Sequence, residues 1–249
     1  MKILAIGNSF SSDATRYLHE ISIAGKIPIK VVNLFIGGCS LETHYINMMN
    51  DNKDYLLDFN GKSTGFYVSI KEALKSDEWD FVTMQQASHF SPDYNTYMPF
   101  LKHLSEYVKY HAPQAEQVFH RTWAYENGSE RLCVELGYKT HSDMFKNIKA
   151  ASEKAVNEVG IKRIIPSGDL IEKMVLEGIQ NIYLDTYHLS LGLGRFAIAS
   201  LWYKFFTGQN IKDNDFVKFD EGINDSVLKK IKNIVDETIS YDMSCEGWK

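Results

Sequence analysis

Short runs of strand-forming residues alternate along this chain with longer segments of helical periodicity. The strand-like runs lie at residues 2–6, 28–36, 79–85, 116–125 and 162–168. The helical segments lie at residues 13–24, 41–50, 94–111, 140–158, 170–177, 195–206 and 223–239. Parallel strands need crossover connections, which are usually helices, so this alternation predicts an α/β fold with a five-stranded parallel sheet.

One segment departs from this alternation and predicts a hairpin. Residues 54–68 contain the pair Asn60-Gly61 between alternating residues. Asn and Gly both tolerate the positive φ angles of a two-residue hairpin turn. We therefore expect a small hairpin inserted near residues 54–68, within a single domain that spans residues 1–249.

The composition is consistent with one domain and argues against two classes of partner. The 249 residues are 44% hydrophobic and 24% charged, which is enough for one substantial core. The net charge is −5 and no run of five like charges occurs, so neither a nucleic-acid nor a membrane partner is expected. No segment approaches ~18 apolar residues and the N-terminus does not resemble a signal peptide, which predicts a cytoplasmic protein.

The cysteines argue against a disulfide framework and against a zinc cluster. Cys39, Cys133 and Cys245 are odd in number and far apart, and none belongs to a Cys-x-x-Cys pair. We expect reduced thiols.

Polar residues and glycines follow several of the predicted strands. Ligands of open parallel sheets bind beyond the C-terminal ends of the strands, where the connecting loops converge. The segments expected at this edge are Gly7-Asn8-Ser9-Phe10, Gly37-Gly38-Cys39-Ser40, residues 85–89 and Asp185-Thr186-Tyr187-His188.

Ser9 and His188 have the chemistry of a nucleophile and its base. A serine hydroxyl is protonated at neutral pH and needs a neighbouring base to attack a carbonyl. Asp185, three residues before His188, can accept the Nδ1 proton and leave Nε2 free to face the serine. Backbone N–H groups at Ser9 and Gly38, with the side-chain amide of a Gln after the third strand, would stabilise an oxyanion.

Each of these segments also has an ordinary structural interpretation. Ser9 is suited to a helix N-cap, and Gly37-Gly38 to the exit from a strand. Paired Gln residues commonly form loop hydrogen bonds, and an Asp-x-x-His segment can be a helix cap beside a solvated imidazole. Their occurrence together, in order and at one edge of the sheet, favours catalysis.

With these four segments in place, the chain resembles the SGNH (GDSL-like) hydrolase superfamily, and within it a bacterial subgroup formerly of unknown function. The resemblance covers residues 2–206. It implies that Ser9, in a Gly-Asn-Ser turn similar to the family's Gly-Asp-Ser, is the nucleophile. It also implies an oxyanion role for Gly38 and triad roles for Asp185 and His188.

The sequence departs from the family pattern at two places. Asn8 replaces the usual Asp, and the third segment lacks Gly-x-Asn-Asp. Some carbohydrate esterases of the superfamily have a Gln after the third strand. This similarity implies that Gln85 is the second oxyanion donor, with Gln86 as the reserve candidate.

The resemblance implies a three-layer αβα sandwich with flavodoxin-like winding, no cofactor and no metal. It implies a serine esterase that removes a short acyl group, such as acetyl, from a carbohydrate through an acyl-enzyme. The expected partner is then a small-molecule ester such as an acylated sugar. Trp123 and Tyr125 lie at the end of the fourth strand-like run and could stack on a sugar ring or pack beneath a loop.

Two other functions remain open at this point. The same winding could hold a small molecule or phosphate at the first loop without catalysis, although no Gly-x-Gly-x-x-Gly or P-loop follows the first strand. A thiol enzyme using Cys39 with His44 is the weaker alternative, because no cationic group is evident that would lower the pKa of Cys39.

Overall fold

A mixed sheet forms the centre of the computed structural model, which describes residues 1–239. Its strands are β1 (Lys2–Gly7), β2 (Lys30–Phe35), β3 (Tyr55–Phe59), β4 (Lys62–Val68), β5 (Phe81–Met84), β6 (Glu116–His120) and β7 (Arg163–Ile165). The order across the sheet is β4-β3-β2-β1-β5-β6-β7. Strands β2, β1, β5, β6 and β7 are parallel, in the flavodoxin-like order.

The predicted count of five strands is wrong, because the hairpin joins the sheet instead of standing apart from it. Strand β3 pairs antiparallel with β2, from Val32 opposite Phe59 to Phe35 opposite Leu56. Without the hairpin, β2 would be an edge strand with unpaired N–H and C=O groups. The hairpin satisfies these groups and extends the described part of the sheet to seven strands.

Helices cover both faces of the sheet. They are α1 (Ser9–Thr15), α2 (Leu18–Ala24), α3 (Leu41–Asn50), α4 (Ile70–Lys75), α5 (Phe100–His111), α6 (His141–Val159), α7 (Ser167–Leu176), α8 (Leu193–Thr207) and α9 (Asp225–Thr238). Among residues 1–239, none of these helices is long and apolar enough to cross a bilayer.

Alternation along β1 separates two apolar cores. Ile3 and Ala5 belong to a core shared mainly with α1, α2, α7, α8 and α9. Leu4 and Ile6 belong to a second core shared with α3, α4 and α5. Successive side chains of a strand point to opposite faces, so the central strand contributes to both cores and the molecule has three layers.

Polar side chains define several helix ends. The Ser40 hydroxyl accepts from the Thr43 N–H at the start of α3, and Thr140 caps α6 in the same way. Ser69 and Glu72 form a reciprocal capping box at α4. These caps fix the residue at which each of these helices begins after the preceding loop.

Some predicted element boundaries are wrong. The first helix begins at Ser9, directly after β1, whereas the sequence predicts residues 13–24. The fourth strand ends at His120 and not at residue 125. Of the cysteines, Cys39 is buried and Cys133 is exposed, and neither forms a disulfide within residues 1–239. Cys245 lies outside the described residues.

Candidate active site

Ser9 lies at the start of α1, where the chain leaves the central strand. The side chain of Asn8 caps this helix, because its Oδ1 accepts a hydrogen bond from the Phe10 N–H at 3.0 Å. Ser9 itself is half-buried. The Ser9 N–H is at the N-terminus of α1, where the helix offers it no acceptor. Among residues 1–239 it has no other hydrogen-bond acceptor either.

The structure brings His188 and Asp185 to Ser9. The Nε2 atom of His188 lies 2.8 Å from Ser9 Oγ, although the two residues are 179 apart in sequence. The other ring nitrogen, Nδ1, lies 2.7 Å from Asp185 Oδ2, and the His188 N–H donates to Asp185 Oδ1 at 2.9 Å. A proton on Nδ1 is therefore held by the carboxylate, which leaves Nε2 able to accept the serine proton.

Asp185 is held in its charged form. Burial alone would raise the pKa of this carboxyl, but hydrogen bonds from the side chain and backbone of His188 outweigh burial and lower the pKa. The carboxylate is therefore present at neutral pH. It can fix the imidazole and stabilise an imidazolium.

Two buried side chains anchor the loop that carries His188. The Asp13 carboxylate on α1 accepts from the Leu189 N–H at 2.9 Å and from Arg195 Nε at 2.8 Å. The indole N–H of Trp123 donates to the Tyr187 carbonyl at 2.8 Å. These bonds fix the position of the imidazole relative to the serine.

The structure contradicts a sugar-stacking role for the two aromatic residues that follow β6. Trp123 and Tyr125 have no exposed surface. The Trp123 ring stacks on Phe10 at 4.2 Å between centroids, beneath the Ser9 turn. Both residues therefore pack under the loops, which is the alternative interpretation of the sequence.

A chain of buried hydrogen bonds supports the Ser9 turn, and sequence reasoning missed it. His120 Nδ1 lies 2.9 Å from Gln85 Oε1, and Gln85 Nε2 donates to Asn8 Oδ1 at 2.7 Å. Asn8 Nδ2 donates to the Cys39 carbonyl at 3.0 Å. The chain links β6, β5, the Ser9 turn and the loop after β2. Two glutamines in a row after a buried strand were its only sequence signal.

The structure places Gln85 and Gln86 differently from the prediction for an oxyanion donor. The Gln85 side chain is 1% exposed and its amide contacts Asn8 and His120. The Gln86 amide donates to Thr96 and accepts from the backbone N–H groups of Leu41 and Ala87. Both amides are used in internal contacts, so an oxyanion role for Gln85 stays a prediction without an exposed N–H to support it.

Gly38 lies in an exposed turn after β2. The Cys39 N–H donates to the Ile36 carbonyl at 3.2 Å and closes this turn, and Gly38 adopts a φ of +63°. No atom lies within 4 Å of where a Cβ would stand, so the positive φ, and not space, favours glycine here. The Gly38 N–H has no acceptor among residues 1–239, which leaves a backbone donor beside the Asn8 turn.

Cys39 and His44 lie together in the interior. The Cys39 sulfur is 3.4 Å from His44 Nδ1, which is also 2.8 Å from the Tyr55 hydroxyl. Burial raises the pKa of the Cys39 thiol to about 12 and lowers the pKa of His44 to about 3. At neutral pH the thiol keeps its proton, so this geometry does not favour a thiol nucleophile.

A cavity of about 410 Å³ opens beside Ser9 and His188. Helix α1 forms one wall, and Leu56, Asp58 and Ser63 of the hairpin form another. Sequence reasoning predicted the hairpin but did not connect it with the site. The sequence shows the alternation that places Leu56 and Asp58 on one face of the strand. It does not show that β3 pairs with β2, which brings these residues to Ser9.

Metal-binding geometry is not found in the part of the chain that the structure describes. Within residues 1–239, no three His, Cys, Asp or Glu side chains are grouped so that they could hold a metal ion. The residues around Ser9 are instead those of proton transfer and hydrogen bonding.

Comparison with known proteins identifies the family. The model of a domain of unknown function, DUF4886, matches residues 2–236. The chain belongs to the DUF4886 family. A crystal structure of a DUF4886 family protein from Bacteroides uniformis has 35% sequence identity and a TM-score of 0.88, over 95% of this chain and 93% of that one.

More distant solved structures show that this DUF4886 protein has the fold of SGNH hydrolases. A candidate SGNH hydrolase from Slackia heliotrinireducens has 24% identity and a TM-score of 0.59, over 83% of this chain and 98% of that one. Axe2, an acetylxylan esterase from Geobacillus stearothermophilus, has 15% identity and a TM-score of 0.53, over 84% and 95% of the respective chains. A search of curated proteins finds no match.

Proposed function

We propose that this DUF4886 protein is a serine esterase that uses Ser9, His188 and Asp185 as a catalytic triad. The single observation that carries the proposal is the 2.8 Å separation between His188 Nε2 and Ser9 Oγ. Nucleophile and base are within hydrogen-bond reach and Asp185 orients the base, which is the arrangement that acyl transfer requires. The adjacent cavity gives an ester access to both residues.

In the first half of the reaction, Ser9 Oγ attacks the ester carbonyl carbon while His188 Nε2 takes the serine proton. Asp185 stabilises the imidazolium that results. As the tetrahedral intermediate collapses, the bond to the alcohol oxygen breaks and His188 gives its proton to that oxygen. The alcohol leaves and the acyl group remains on Ser9.

The negative oxygen of the intermediate needs hydrogen-bond donors that are free beforehand. The N–H groups of Ser9 and Gly38 meet this condition among residues 1–239, and we assign them as the oxyanion donors. Gln85 then acts as a positioning residue, since its amide holds Asn8 and through it the turn that presents Ser9.

In the second half, water replaces the alcohol. His188 Nε2 takes a proton from the water as its oxygen attacks the acyl carbon, and returns the proton to Ser9 Oγ when the bond to the serine breaks. The products are a carboxylic acid and the regenerated enzyme. No external cofactor takes part in these steps.

We further propose that the substrate is a carbohydrate that carries a short acyl group such as acetyl. The resemblance to Gln-containing carbohydrate esterases supports this substrate class. The structural likeness to an acetylxylan esterase agrees with it, although at 15% identity that likeness concerns the fold alone.

Replacing the nucleophile tests the proposal. We expect wild-type protein to hydrolyse 4-nitrophenyl acetate and Ser9→Ala to lose about 10³-fold or more in kcat, because the variant lacks the hydroxyl that His188 Nε2 contacts. A fluorophosphonate probe should label wild-type protein at Ser9 only, as measured by peptide mass spectrometry. Ser226→Ala, at an exposed serine at the start of α9, is the matched control and should keep full activity.

Two results would contradict this assignment. Activity that survives in Ser9→Ala would mean that another residue is the nucleophile. Absence of hydrolysis and labelling in wild-type protein, together with tight retention of a nucleotide or flavin, would favour a binding protein of flavodoxin-like winding.

A further inference from the structure

One face of the β3–β4 hairpin carries two rows of side chains that differ in polarity. Residues paired directly across neighbouring strands share a face of the sheet, as do residues two apart on one strand. The pairing of β2, β3 and β4 gives an apolar row of Phe35, Leu56 and Tyr67 beside a polar row of Asn33, Asp58 and Ser63.

The apolar row is open to the cavity and to solvent. Phe35 and Leu56 line the cavity beside Ser9, and Tyr67 is 61% exposed at the outer end of the row. None of the three belongs to the two apolar cores. The opposite face of the hairpin, which includes Tyr55 and Leu57, packs on the second core. The hairpin therefore presents an uncovered apolar strip next to the proposed nucleophile.

The polar groups around the strip retain free hydrogen-bonding capacity. Asp58 Oδ2 accepts from Ser12 and Asn33, whereas Asp58 Oδ1 has no partner and no cation pairs with the carboxylate among residues 1–239. Across the cavity, Arg195 donates to Asp13 through Nε, and within the same residues neither of its Nη groups has a hydrogen-bond partner. The cavity thus contains an anchored acceptor and anchored donors that lack partners.

An apolar row beside unpartnered polar groups fits a pyranose ring as the alcohol portion of an ester better than it fits an alkyl chain or an anionic group. An alkyl chain would cover the apolar row but would also take water from Asp58 and Arg195 without replacing its hydrogen bonds. An anionic alcohol portion would be attracted by Arg195 but repelled by the Asp58 carboxylate. A pyranose ring has C–H groups that pack on aromatic and aliphatic side chains, and hydroxyls that both donate and accept. Neighbouring rows on a strand are about 7 Å apart, a distance that one substituted ring can span.

We propose that the hairpin face is the subsite for the alcohol portion of the ester, and that this portion is a pyranose sugar. The ring packs on Phe35, Leu56 and Tyr67, and its hydroxyls bind Asp58 Oδ1 and Arg195 Nη. The catalytic use of this subsite rests on the proposed esterase function, whereas binding of a sugar to it does not.

Tyr67 and Phe66 provide a matched pair of variants. Tyr67 pairs with Leu56 in the apolar row, whereas Phe66, next to it on β4, is not part of that row. The two side chains are 61% and 72% exposed, so truncating either should leave the fold intact. The substrates are mono-acetylated methyl pyranosides of xylose, glucose, galactose and mannose, compared with methyl acetate, whose alcohol portion is too small to reach Tyr67. We expect at least one pyranoside to be a better substrate than methyl acetate.

For that pyranoside, Tyr67→Ala should lower kcat/KM by about fivefold, mainly through KM, because a ring contact made equally in ground and transition states is lost. Hydrolysis of methyl acetate should stay within about twofold, and Phe66→Ala should change neither substrate by more than that.

The proposal is overturned if no pyranoside has a higher kcat/KM than methyl acetate, or if Tyr67→Ala and Phe66→Ala lose activity equally. In either case, Ser9-dependent hydrolysis of methyl acetate would still support the esterase function. If wild-type protein hydrolyses no ester, the esterase function fails and saturation-transfer NMR with the unacetylated methyl pyranosides decides the subsite. A signal that Tyr67→Ala abolishes and Phe66→Ala retains supports a sugar site, and the absence of any signal rejects it.

Discussion

At the scale of single residues, the contacts of Asn8 explain why an amide stands at this position. Its Oδ1 accepts from Phe10 and Gln85, and its Nδ2 donates to the Cys39 carbonyl. An Asp at this position, as in the family pattern, could accept both hydrogen bonds but could not donate to Cys39. The amide therefore ties the Ser9 turn to the loop that contains Gly38, and these two segments carry the two proposed oxyanion donors.

Gln85→Ala separates a positioning role from a direct oxyanion role. The variant loses the bond to Asn8 Oδ1 and leaves the buried His120 N–H without an acceptor, which should cost about 1–3 kcal/mol in the free energy of unfolding. We expect kcat to fall by about tenfold as the Ser9 turn loosens, less than the ~10²–10³ that follows removal of a direct donor. Urea denaturation and ester hydrolysis measure the two effects.

Gln117→Ala is the control for Gln85→Ala. Gln117 makes two hydrogen bonds to Ser105 on α5, away from the Ser9 turn, so this variant should lose stability without a comparable loss of kcat. A loss of 10²-fold or more in Gln85→Ala at unchanged KM would restore the amide as the direct donor that the sequence predicts.

The triad candidates could be named from the sequence, but the hydrogen bonds that hold the Ser9 turn in place could not be predicted from it. Ser9, Asp185 and His188 follow from residue type, local spacing and the resemblance. The bond between Gln85 and Asn8 joins side chains 77 residues apart, and no local pattern specifies such a bond. The exclusion of Trp123 from the site also depends on which loop covers it.

At the scale of elements, the hairpin shows the same division between local and non-local information. The pair Asn60-Gly61 predicts a turn, and the turn lies between β3 and β4. Its position beside β2 depends on register with a strand about 25 residues away, which alternation alone does not fix. The predicted extension of the fourth strand to residue 125 fails for a related reason, since its last residues are apolar because loops cover them and not because they pair in the sheet.

Gly61 controls how closely the hairpin approaches α1. Both Gly61 and Gly65 have positive φ, but a Cβ on Gly61 would lie 2.2 Å from the Arg16 carbonyl oxygen, whereas a Cβ on Gly65 would meet nothing within 4 Å. Gly65→Ala should therefore cost about 1–2 kcal/mol in the free energy of unfolding, from backbone strain alone. Gly61→Ala should cost about 1–3 kcal/mol more, because the hairpin must move away from α1.

The same displacement should affect the cavity. The hairpin forms one of its walls, so Gly61→Ala should raise KM for an ester substrate while Gly65→Ala leaves KM close to wild type. Denaturant unfolding and steady-state kinetics measure both quantities. Equal costs and equal KM values in the two variants would show that the contact between the turn and α1 is not a constraint on the site.

At the scale of the whole molecule, the two apolar layers enclose imidazoles that must stay neutral. His44 lies on the buried face of α3 and His120 lies at the end of β6, and burial lowers the pKa of each to about 3 from the ordinary value of 6.5. The Nε2 atom of each is buried without a hydrogen-bond partner among residues 1–239. Protonation in the folded state would place an unpaired charge in the interior.

Folding stability should therefore fall as the pH falls below about 6.5. Between pH 6.5 and about 3 the unfolded chain protonates these two imidazoles and the folded chain does not, so the stability that they contribute is complete above this range and is lost on acidification. From pH 7.5 to pH 5, each histidine should lower the free energy of unfolding by about 2 kcal/mol, or about 4 kcal/mol together. Carboxyl groups of ordinary pKa contribute little in this interval, because they remain mostly ionised at pH 5.

Urea denaturation at pH 7.5 and pH 5 measures this loss. In His120→Gln and in His44→Asn, the difference in unfolding free energy between the two pH values should be smaller than in the wild type by about 2 kcal/mol, whatever the stability of each variant at pH 7.5. His103→Gln, at a half-buried histidine on α5 outside the two apolar cores, is the control and should change this difference less than either core variant does. A wild-type stability that is unchanged from pH 7.5 to pH 5 would mean that these imidazoles accept protons in the folded protein, and that the layers around them admit water.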